Sequence, residues 1–156
     1  MRAVIQRVTR AEVRVEDAAV GTIGAGMVVL LGVLKADGPS QADRLAERTA
    51  RLRIFDDGSG RMNRSLLETS GEALVVSQFT LAGTTHRGLR PSFDAAAPPD
   101  VAESLYALYC SALAAQGVRV ATGRFRAKMV VEILGDGPVT LILDEPRGGA
   151  AGETDP

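Results

Sequence analysis

Most apolar segments of this chain are short, as in β-strands, and a helical spacing of apolar residues is found in only two segments. The alternation in the opening MRAVIQRVTRAEVRVED is typical of half-buried strands and predicts a hairpin. The apolar run at residues 27–34 predicts a strand buried on both faces. Further strands are predicted at ALVVSQFTL, VRVATGRF, KMVVEIL and PVTLILD. So many strands require a sheet with at least one covered face, which leaves few architectures.

Two segments have the spacing of an amphipathic helix. The first, SQADRLAERTARLRIF, is predicted to begin with Ser40 as N-cap after Pro39, and its buried face would consist of Ala42, Leu45, Thr49 and Leu52. The second is predicted over residues 100–116, where Gly117 offers the left-handed conformation that ends many helices. The segment AGTTHRGLRPSFDAAAPPD, which precedes the second helix, has neither the strand nor the helix period and is predicted to be an ordered surface loop.

The expected fold is therefore α+β: a mostly antiparallel or mixed, barrel-like β-sheet with two main helices packed on it. A chain of 156 residues with 46% hydrophobic content can bury one full core. We expect residues 1–146 to form a single domain. Residues 147–156 are small, polar or charged and are predicted to be a disordered tail.

Composition excludes several classes of function. The net charge of -1 argues against a protein that binds long stretches of nucleic-acid backbone, and 4% aromatic residues without tryptophan argue against a base-stacking platform. The single cysteine, Cys110, is predicted to be buried, as in a protein of a reducing compartment. No leader or membrane-spanning stretch is recognisable, so we expect a cytoplasmic protein.

The inventory of catalytic side chains is small. His86 is the only histidine, and with one cysteine the common zinc ligand sets are excluded, so no metal is expected. Glycine-rich nucleotide motifs are absent, and no cofactor is expected. A serine hydrolase that joins Ser77, His86 and an aspartate stays open as a hypothesis, although no GxSxG elbow is present.

The segment SQFTLAG, residues 77–83, places polar groups at the end of an otherwise apolar strand. If the strand reaches Leu81, then Gln78 and Thr80 share one face, and Ser77 and Phe79 lie on the other. The Gln78 amide can donate and the Thr80 hydroxyl can donate and accept, so together they could bind a carbonyl or hydroxyl group. Taken alone, the segment is explained more simply by a strand that turns polar where it meets solvent.

The segment GDGPVT, residues 135–140, interrupts the apolar runs MVVEIL and LILD. Proline donates no backbone hydrogen bond and is a poor residue for the interior of a sheet. Because Asp-Gly and Gly-Pro are ordinary turn dipeptides, the residues alone predict a hairpin turn at Gly137-Pro138.

Five segments in this order resemble the D-aminoacyl-tRNA deacylases across residues 1–145: RAVIQRVTRA, RIFDDGSGRMNRSL, VVSQFTLAG, GLRPSF with AAPP, and GDGPVTLILD. SQFTL and GPVT are the two signature motifs of that family. The resemblance implies a hydrolase that cleaves the ester of D-aminoacyl-tRNA, or of glycyl-tRNA, and releases the amino acid and the tRNA. Its role would be chiral proofreading in translation.

The resemblance also implies a homodimer whose active site lies at the subunit interface. There the SQFTL segment of one subunit and the GPVT segment of the other would meet at the 3′ aminoacyl end of the tRNA. A cis Gly137–Pro138 bond is implied, with both backbone carbonyls turned toward the substrate ammonium, so that an L side chain collides with the motif. Arg7 resembles the family arginine that braces this turn, although an exposed strand arginine is the ordinary interpretation of the residue.

For the chemical step, the family pattern assigns Ser77, Gln78, Phe79 and Thr80 to the catalytic segment. The Phe79 and Thr80 backbone N–H groups are expected to bind the ester oxygen while Gln78 helps to orient it. Water attacks in this scheme. Whether Thr80 is a nucleophile or positions water stays open, as does assistance by the neighbouring ribose hydroxyl of the tRNA.

Two segments depart from the family pattern. Gly135 stands where asparagine is usual, and FRAKM places Arg126 and Lys128 where small or acidic residues are common. We expect altered surface charge here, with the chemistry unchanged. The non-enzymatic alternative is a dimeric module that binds tRNA ends or small ammonium ligands without turnover.

Overall fold

Strand β1 (Arg2–Val15) organises the sheet because both of its edges are paired. One edge pairs antiparallel with β8 (Met129–Asp144) over nearly the whole strand. The other edge pairs with β3 (Gly26–Gly32) through residues 2–8 and with β2 (Ala18–Ile23) through residues 11–15. In this computed structural model, which describes residues 1–86 and 88–146, β1 is therefore the central element of the fold.

Two parallel strands extend the sheet beyond β3. Strand β6 (Glu72–Ser77) pairs with β3, and β7 (Arg119–Thr122) pairs with β6. A methyl group added at Gly21 of β2 would collide with the Thr122 carbonyl of β7, so the sheet curls until its ends nearly touch. Strands β4 (Phe55–Asp56) and β5 (Met62–Arg64) form a separate small hairpin. The mixed, nearly closed sheet confirms the predicted fold class.

Within the described residues, three α-helices accompany the sheet: α1 (Pro39–Arg51), α2 (Leu66–Thr69) and α3 (Pro99–Ala115). Gly38, not Ser40, is the N-cap of α1, because Pro39 already occupies the first helical position, where its missing N–H costs nothing. The α3 helix confirms the second prediction, and Gly117 follows it at φ 99°. The short α2 was not predicted, although Ser65 and Glu68 form the capping box that signals a helix start.

The two faces of the sheet bury two apolar clusters. One face packs against α1 and α3 through Ile5, Met27, Val29, Leu31, Val75, Leu45, Tyr109 and Leu113. The other face, over which β2 and the first half of β8 curl, buries Val8, Val13, Ile23, Val28, Leu74 and Val76. Val76 lies at the end of the second cluster, and it also lines the cleft of the candidate site described below.

Two predictions about strands are wrong. The opening segment is one continuous strand, and the first turn comes only at Glu16, which has φ 54°. The segments KMVVEIL and PVTLILD belong to one strand, β8. Gly137-Pro138 lies in a bulge of that strand and not in a hairpin turn: between the pairs Val8–Gly135 and Gln6–Thr140, β8 inserts residues 136–139 opposite Arg7 alone.

Residues 147–156, predicted to be a disordered tail, lie outside the described residues. Within the part of the chain that the structure describes, no helix has the length and apolar character needed to cross a membrane. The single domain over residues 1–146 stays a prediction.

Candidate active site

The SQFTL segment leaves the sheet after its first residue. Ser77 pairs with Leu31, and β3 ends one residue later at Gly32, so β6 has no further neighbour to follow. The Gln78 N–H donates to the Leu31 carbonyl at 2.8 Å, and the chain then forms one turn of 3-10 helix, Phe79–Ala82. A Cβ on Gly32 would lie 2.9 Å from the Leu81 Cβ, so glycine lets this turn pack on β3. The predicted strand to Leu81 is therefore wrong.

The 3-10 turn presents polar groups at its start. The Gln78 side-chain amide donates to the Thr80 hydroxyl, and both Phe79 and Thr80 are exposed. The first N–H groups of a helical turn have no acceptor within the turn. Across residues 1–86 and 88–146, no hydrogen-bond acceptor is found for the Phe79 or Thr80 N–H. Two adjacent backbone donors are thus free to bind an oxygen atom.

A cleft of about 530 Å³ opens beside this turn. Ser77, Gln78 and Phe79 form one wall, and the remaining walls come from the start of α3, the loop after β7 and the start of β8. Most of the lining is apolar: Val76, Ala102, Phe125, Met129 and Val131. The Phe79 ring, 56% exposed, packs edge-to-face on Phe93 with the ring centroids 5.1 Å apart. Such a cleft suits a ligand with an apolar body and a few polar atoms.

The GPVT motif has a distinct backbone geometry. The Gly137–Pro138 peptide bond is cis, as the resemblance implies, and both residues are exposed. Gly137 has φ 127°, a conformation that residues with a side chain rarely adopt. A Cβ at this position would lie 2.8 Å from the Val139 Cγ2 and 2.9 Å from the Val139 backbone nitrogen. Only glycine fits the bulge.

Arg7 lies beneath the bulge and is 8% exposed. Its NH1 donates to the Ile54 carbonyl at 2.7 Å, and its Nε donates to the Asp136 carbonyl at 3.2 Å. The Asp136 carboxylate lies 3.1 Å from the same Nε, and the Asp56 carboxylate lies 3.8 Å from NH1. Arg7 is therefore not an exposed strand arginine. It connects the segment before β4 to the bulge of β8.

The sequence reasoning missed the partners of Arg7, namely Ile54, Asp56 and Asp136. The alternation of β1 indicated that Arg7 faces inward. Ala3 and Ile5 are fully buried, and Arg7 is the next residue on the same face of the strand. A charged side chain at an inward-facing strand position requires nearby acceptors, since a buried unpaired charge is costly.

The structure does not support a Ser77–His86 pair. His86 is exposed in the loop between Thr84 and Ser92, and no hydrogen bond joins it to Ser77 in the described parts of the chain. Residues 1–86 and 88–146 also contain no group of three or more His, Cys, Asp or Glu side chains placed to hold a metal ion.

The two motifs lie far apart within one chain. Through the strand pairing, Ser77 is level with Ala3 of β1, whereas the Gly137 bulge is opposite Arg7. Four residues along β1 and three strand spacings across the sheet separate them, which is roughly 20 Å measured along the surface of the sheet. The strand order therefore does not place SQFTL beside GPVT within one chain.

Strand β8 carries a row of exposed apolar side chains. Val130 is 63% exposed and Ile142 is 65% exposed, and Leu134 and Leu141 are also exposed. Among the described residues β8 pairs only with β1, so its second edge is open. A long, open and partly apolar edge strand is typical of a surface that another chain covers.

Comparison with known proteins places these features in a family. The family model for D-Tyr-tRNA(Tyr) deacylase matches residues 4–144. A protein of Anaeromyxobacter dehalogenans named D-aminoacyl-tRNA deacylase is 54% identical, covering 94% of this chain and 99% of its own length. One of Ruegeria pomeroyi with the same name is 56% identical, covering 92% and 99%.

Solved structures show the same fold. The chain described as c-Myc DNA Unwinding Element Binding Protein superposes with a TM-score of 0.88 at 38% identity, covering 94% of this chain and 99% of that one. A structure described as a probable eukaryotic D-amino acid tRNA deacylase superposes with a TM-score of 0.80 over 91% and 97% of the two chains. At 21% identity, this second likeness concerns the fold alone.

Proposed function

Since this chain belongs to the D-Tyr-tRNA(Tyr) deacylase family, we infer that it hydrolyses the ester bond of D-aminoacyl-tRNA and releases the free D-amino acid and the tRNA. The enzyme is a hydrolase that acts on ester bonds. Its substrate arises during translation, and a cytoplasmic location and a role in chiral proofreading follow from that substrate.

The active site of this proposal is shared between two subunits of a homodimer. The separation of the two motifs within one chain, roughly 20 Å along the surface of the sheet, carries this proposal. The open edge of β8, with its exposed Val130 and Ile142, supplies an apolar surface for a second copy. In the dimer, the GPVT bulge of one subunit reaches the 3-10 turn of its partner, where the 3′ aminoacyl end of the tRNA binds.

Chirality is read by exclusion in this site. The backbone carbonyl oxygens of Gly137 and Pro138 attract the substrate ammonium, and the Phe79 and Thr80 N–H groups hold the ester oxygen. With these groups and the Cα–H fixed, an L side chain points into the backbone of the bulge, whereas a D side chain points away from it. Glycyl-tRNA is also a substrate, because glycine has no side chain to be excluded.

The chemical step relies on backbone donors. Water attacks the ester carbonyl, the bond to the ribose oxygen breaks, and that oxygen takes a proton as it leaves. The charge that develops on the carbonyl oxygen is stabilised by the Phe79 and Thr80 N–H groups. The Thr80 hydroxyl oxygen accepts a hydrogen bond from the Gln78 amide, which engages a lone pair that nucleophilic attack would need, so positioning of water is favoured over nucleophilic attack. The neighbouring ribose hydroxyl of the tRNA can assist the attack.

The decisive experiment compares D-tyrosyl-tRNA and L-tyrosyl-tRNA as substrates of the purified protein. We expect rapid release of D-tyrosine and hydrolysis of the L ester at the uncatalysed rate. Equal hydrolysis of both esters, or of neither, would contradict the proposal. A single-turnover measurement of amino acid release separates the enzyme from a module that only binds tRNA ends.

A further inference from the structure

The loop between β7 and β8 carries three cationic side chains at alternate positions. Arg124, Arg126 and Lys128 are exposed, while Phe125 and Ala127 between them contribute to the wall of the cleft. None of the three forms an ion pair with a carboxylate in the parts of the chain that the structure describes. We call residues 124–128 the basic loop. It concentrates positive charge at the mouth of the candidate active site.

Arg126 has an unusual backbone conformation for an arginine. Its φ of 61° lies in the left-handed region, which disfavours residues with a Cβ. Glycine would occupy this position without penalty, yet the chain places a long cationic side chain there and directs it to the cleft wall. A non-glycine residue kept in this region points to a role for its side chain.

The charge of the whole protein cannot provide attraction to RNA, because the chain carries a net charge of -1. A local group of three cations beside the cleft can still attract phosphates. Single-stranded RNA that leads to an aminoacyl end carries one phosphate per nucleotide, and arginine and lysine are the side chains that contact phosphates most often.

We propose that Arg124, Arg126 and Lys128 of the basic loop bind backbone phosphates of the single-stranded 3′ end of the tRNA as it enters the cleft. This proposal rests on the proposed function and extends it to the RNA portion of the substrate. The loop does not touch the ester. It raises the affinity for tRNA and makes that affinity depend on salt.

The test compares two substrates with the same ester, D-tyrosyl-tRNA and D-tyrosyl-adenosine, the second of which has no phosphate. The variants are Arg126→Gly and the triple variant Arg124→Ala, Arg126→Gly, Lys128→Ala. For the triple variant, the slope of log(kcat/KM) against log salt on the tRNA substrate should become shallower by about 2, at about 0.7 for each lost single-strand phosphate contact. The ratio of the two kcat/KM values, tRNA over adenosine, should fall severalfold.

Arg126→Gly separates a role in binding from a role in folding. Glycine suits the left-handed backbone, so the midpoint of thermal unfolding should be unchanged or higher, while KM for the tRNA substrate rises. A lower unfolding midpoint with equal losses on both substrates would show that Arg126 serves the structure of the loop and would overturn the proposal. An unchanged salt slope in the triple variant would overturn it as well.

Arg51→Ala is the matched control, because Arg51 is an exposed arginine on α1, with 66% of its side chain accessible. We expect its salt slope to equal that of the wild type. Binding of tRNA that carries no amino acid, measured by fluorescence anisotropy for the same variants, tests the basic loop even if the wild type hydrolyses neither ester. Failure of the proposed function and failure of this proposal are thus distinguishable.

Discussion

At the scale of single residues, the site depends on where glycine and arginine stand in the sheet. The sequence motif identified Gly137, Pro138 and Arg7 as residues of interest. Their geometry could not be predicted, because it depends on contacts between segments distant in sequence: Arg7 binds the carbonyls of Ile54 and Asp136. Sequence alternation indicates which face of the sheet a residue occupies, but not which backbone carbonyl its side chain will contact there.

Replacing Gly137 with alanine should damage the site. The new methyl group would meet the Val139 side chain and backbone at 2.8 and 2.9 Å, and alanine disfavours φ 127°. Because a displacement of about 1 Å costs on the order of 100-fold in rate, we expect a loss of that size in kcat/KM for D-aminoacyl-tRNA. Gly135→Ala is the matched control, since no atom lies within 4 Å of a Cβ there. Equal losses in both variants would contradict the assignment.

Arg7→Lys should also impair the enzyme although it keeps the charge. A lysine ammonium cannot reproduce the two-sided contact with Ile54 and Asp136 that the planar guanidinium makes. A buried acceptor left without its donor costs about 1–3 kcal/mol, so both the unfolding midpoint and kcat/KM should fall. Arg10→Lys, at a half-exposed position of the same strand, should change neither quantity. Thermal unfolding and steady-state kinetics measure the two effects.

At the scale of elements, a strand extends as far as its neighbour allows. The apolar run through SQFTL predicted a strand to Leu81, but β6 ends at Ser77 because β3 ends at Gly32. The opposite holds for β8, which continues past Gly137-Pro138 because β1 provides a partner on both sides of the bulge. Residue composition could reveal neither end point, since pairing register is a property of two segments together.

The end of β8 is fixed to α1 by a carboxylate between two arginines. Burial disfavours the charged form of Glu145, but hydrogen bonds from Arg44 and Arg48, each 2.7 Å long, outweigh this and lower the pKa of its carboxyl group. A lowered pKa in the folded state stabilises the protein fully above the ordinary value of 4.5. That contribution is lost as the pH falls below 4.5 through the folded-state pKa.

Glu145→Gln should therefore destabilise the protein in a pH-dependent way. Near pH 7 we expect a loss of about 1–2 kcal/mol, or roughly 3–6 °C in the unfolding midpoint. The difference from the wild type should shrink as the pH falls below 4.5, because the wild-type carboxylate is then protonated too. Glu47→Gln, which removes an exposed ion pair with Arg51, serves as the control and should shift the midpoint by less than about 2 °C. A pH-independent difference at position 145 would refute the assignment.

At the scale of the whole molecule, the α+β class with two main helices followed from hydrophobic periodicity. The barrel-like curl of the sheet was also expected, but the contact that closes it, between Gly21 and Thr122, joins residues about a hundred positions apart and is not visible in local patterns. The distance between the two motifs likewise depends on the order β8-β1-β3-β6, which local patterns do not encode. Family resemblance supplied the motifs and the expected dimer, and the strand order, which keeps the two motifs apart within one chain, supports the proposed dimer.

A shared active site predicts complementation between two inactive variants. One carries Gly137→Ala, and the other carries Thr80→Pro, which removes one backbone N–H donor of the 3-10 turn. When the two variants are mixed in equal amounts and exchange subunits, about half of the dimers should be heterodimers. Each heterodimer has one intact site out of two, so about one quarter of the wild-type activity should be restored. No recovery in a sample whose heterodimers are verified by native mass spectrometry would show that each site belongs to a single subunit.

The free N–H groups of Phe79 and Thr80 belong to peptide bonds, and peptide bonds survive the truncation of any side chain. Alanine scanning across residues 77–80 would therefore leave these donors in place and understate what the segment contributes. Replacing the amide itself with an ester, through a hydroxy-acid analogue at position 79 or 80, deletes a single donor and leaves every side chain untouched.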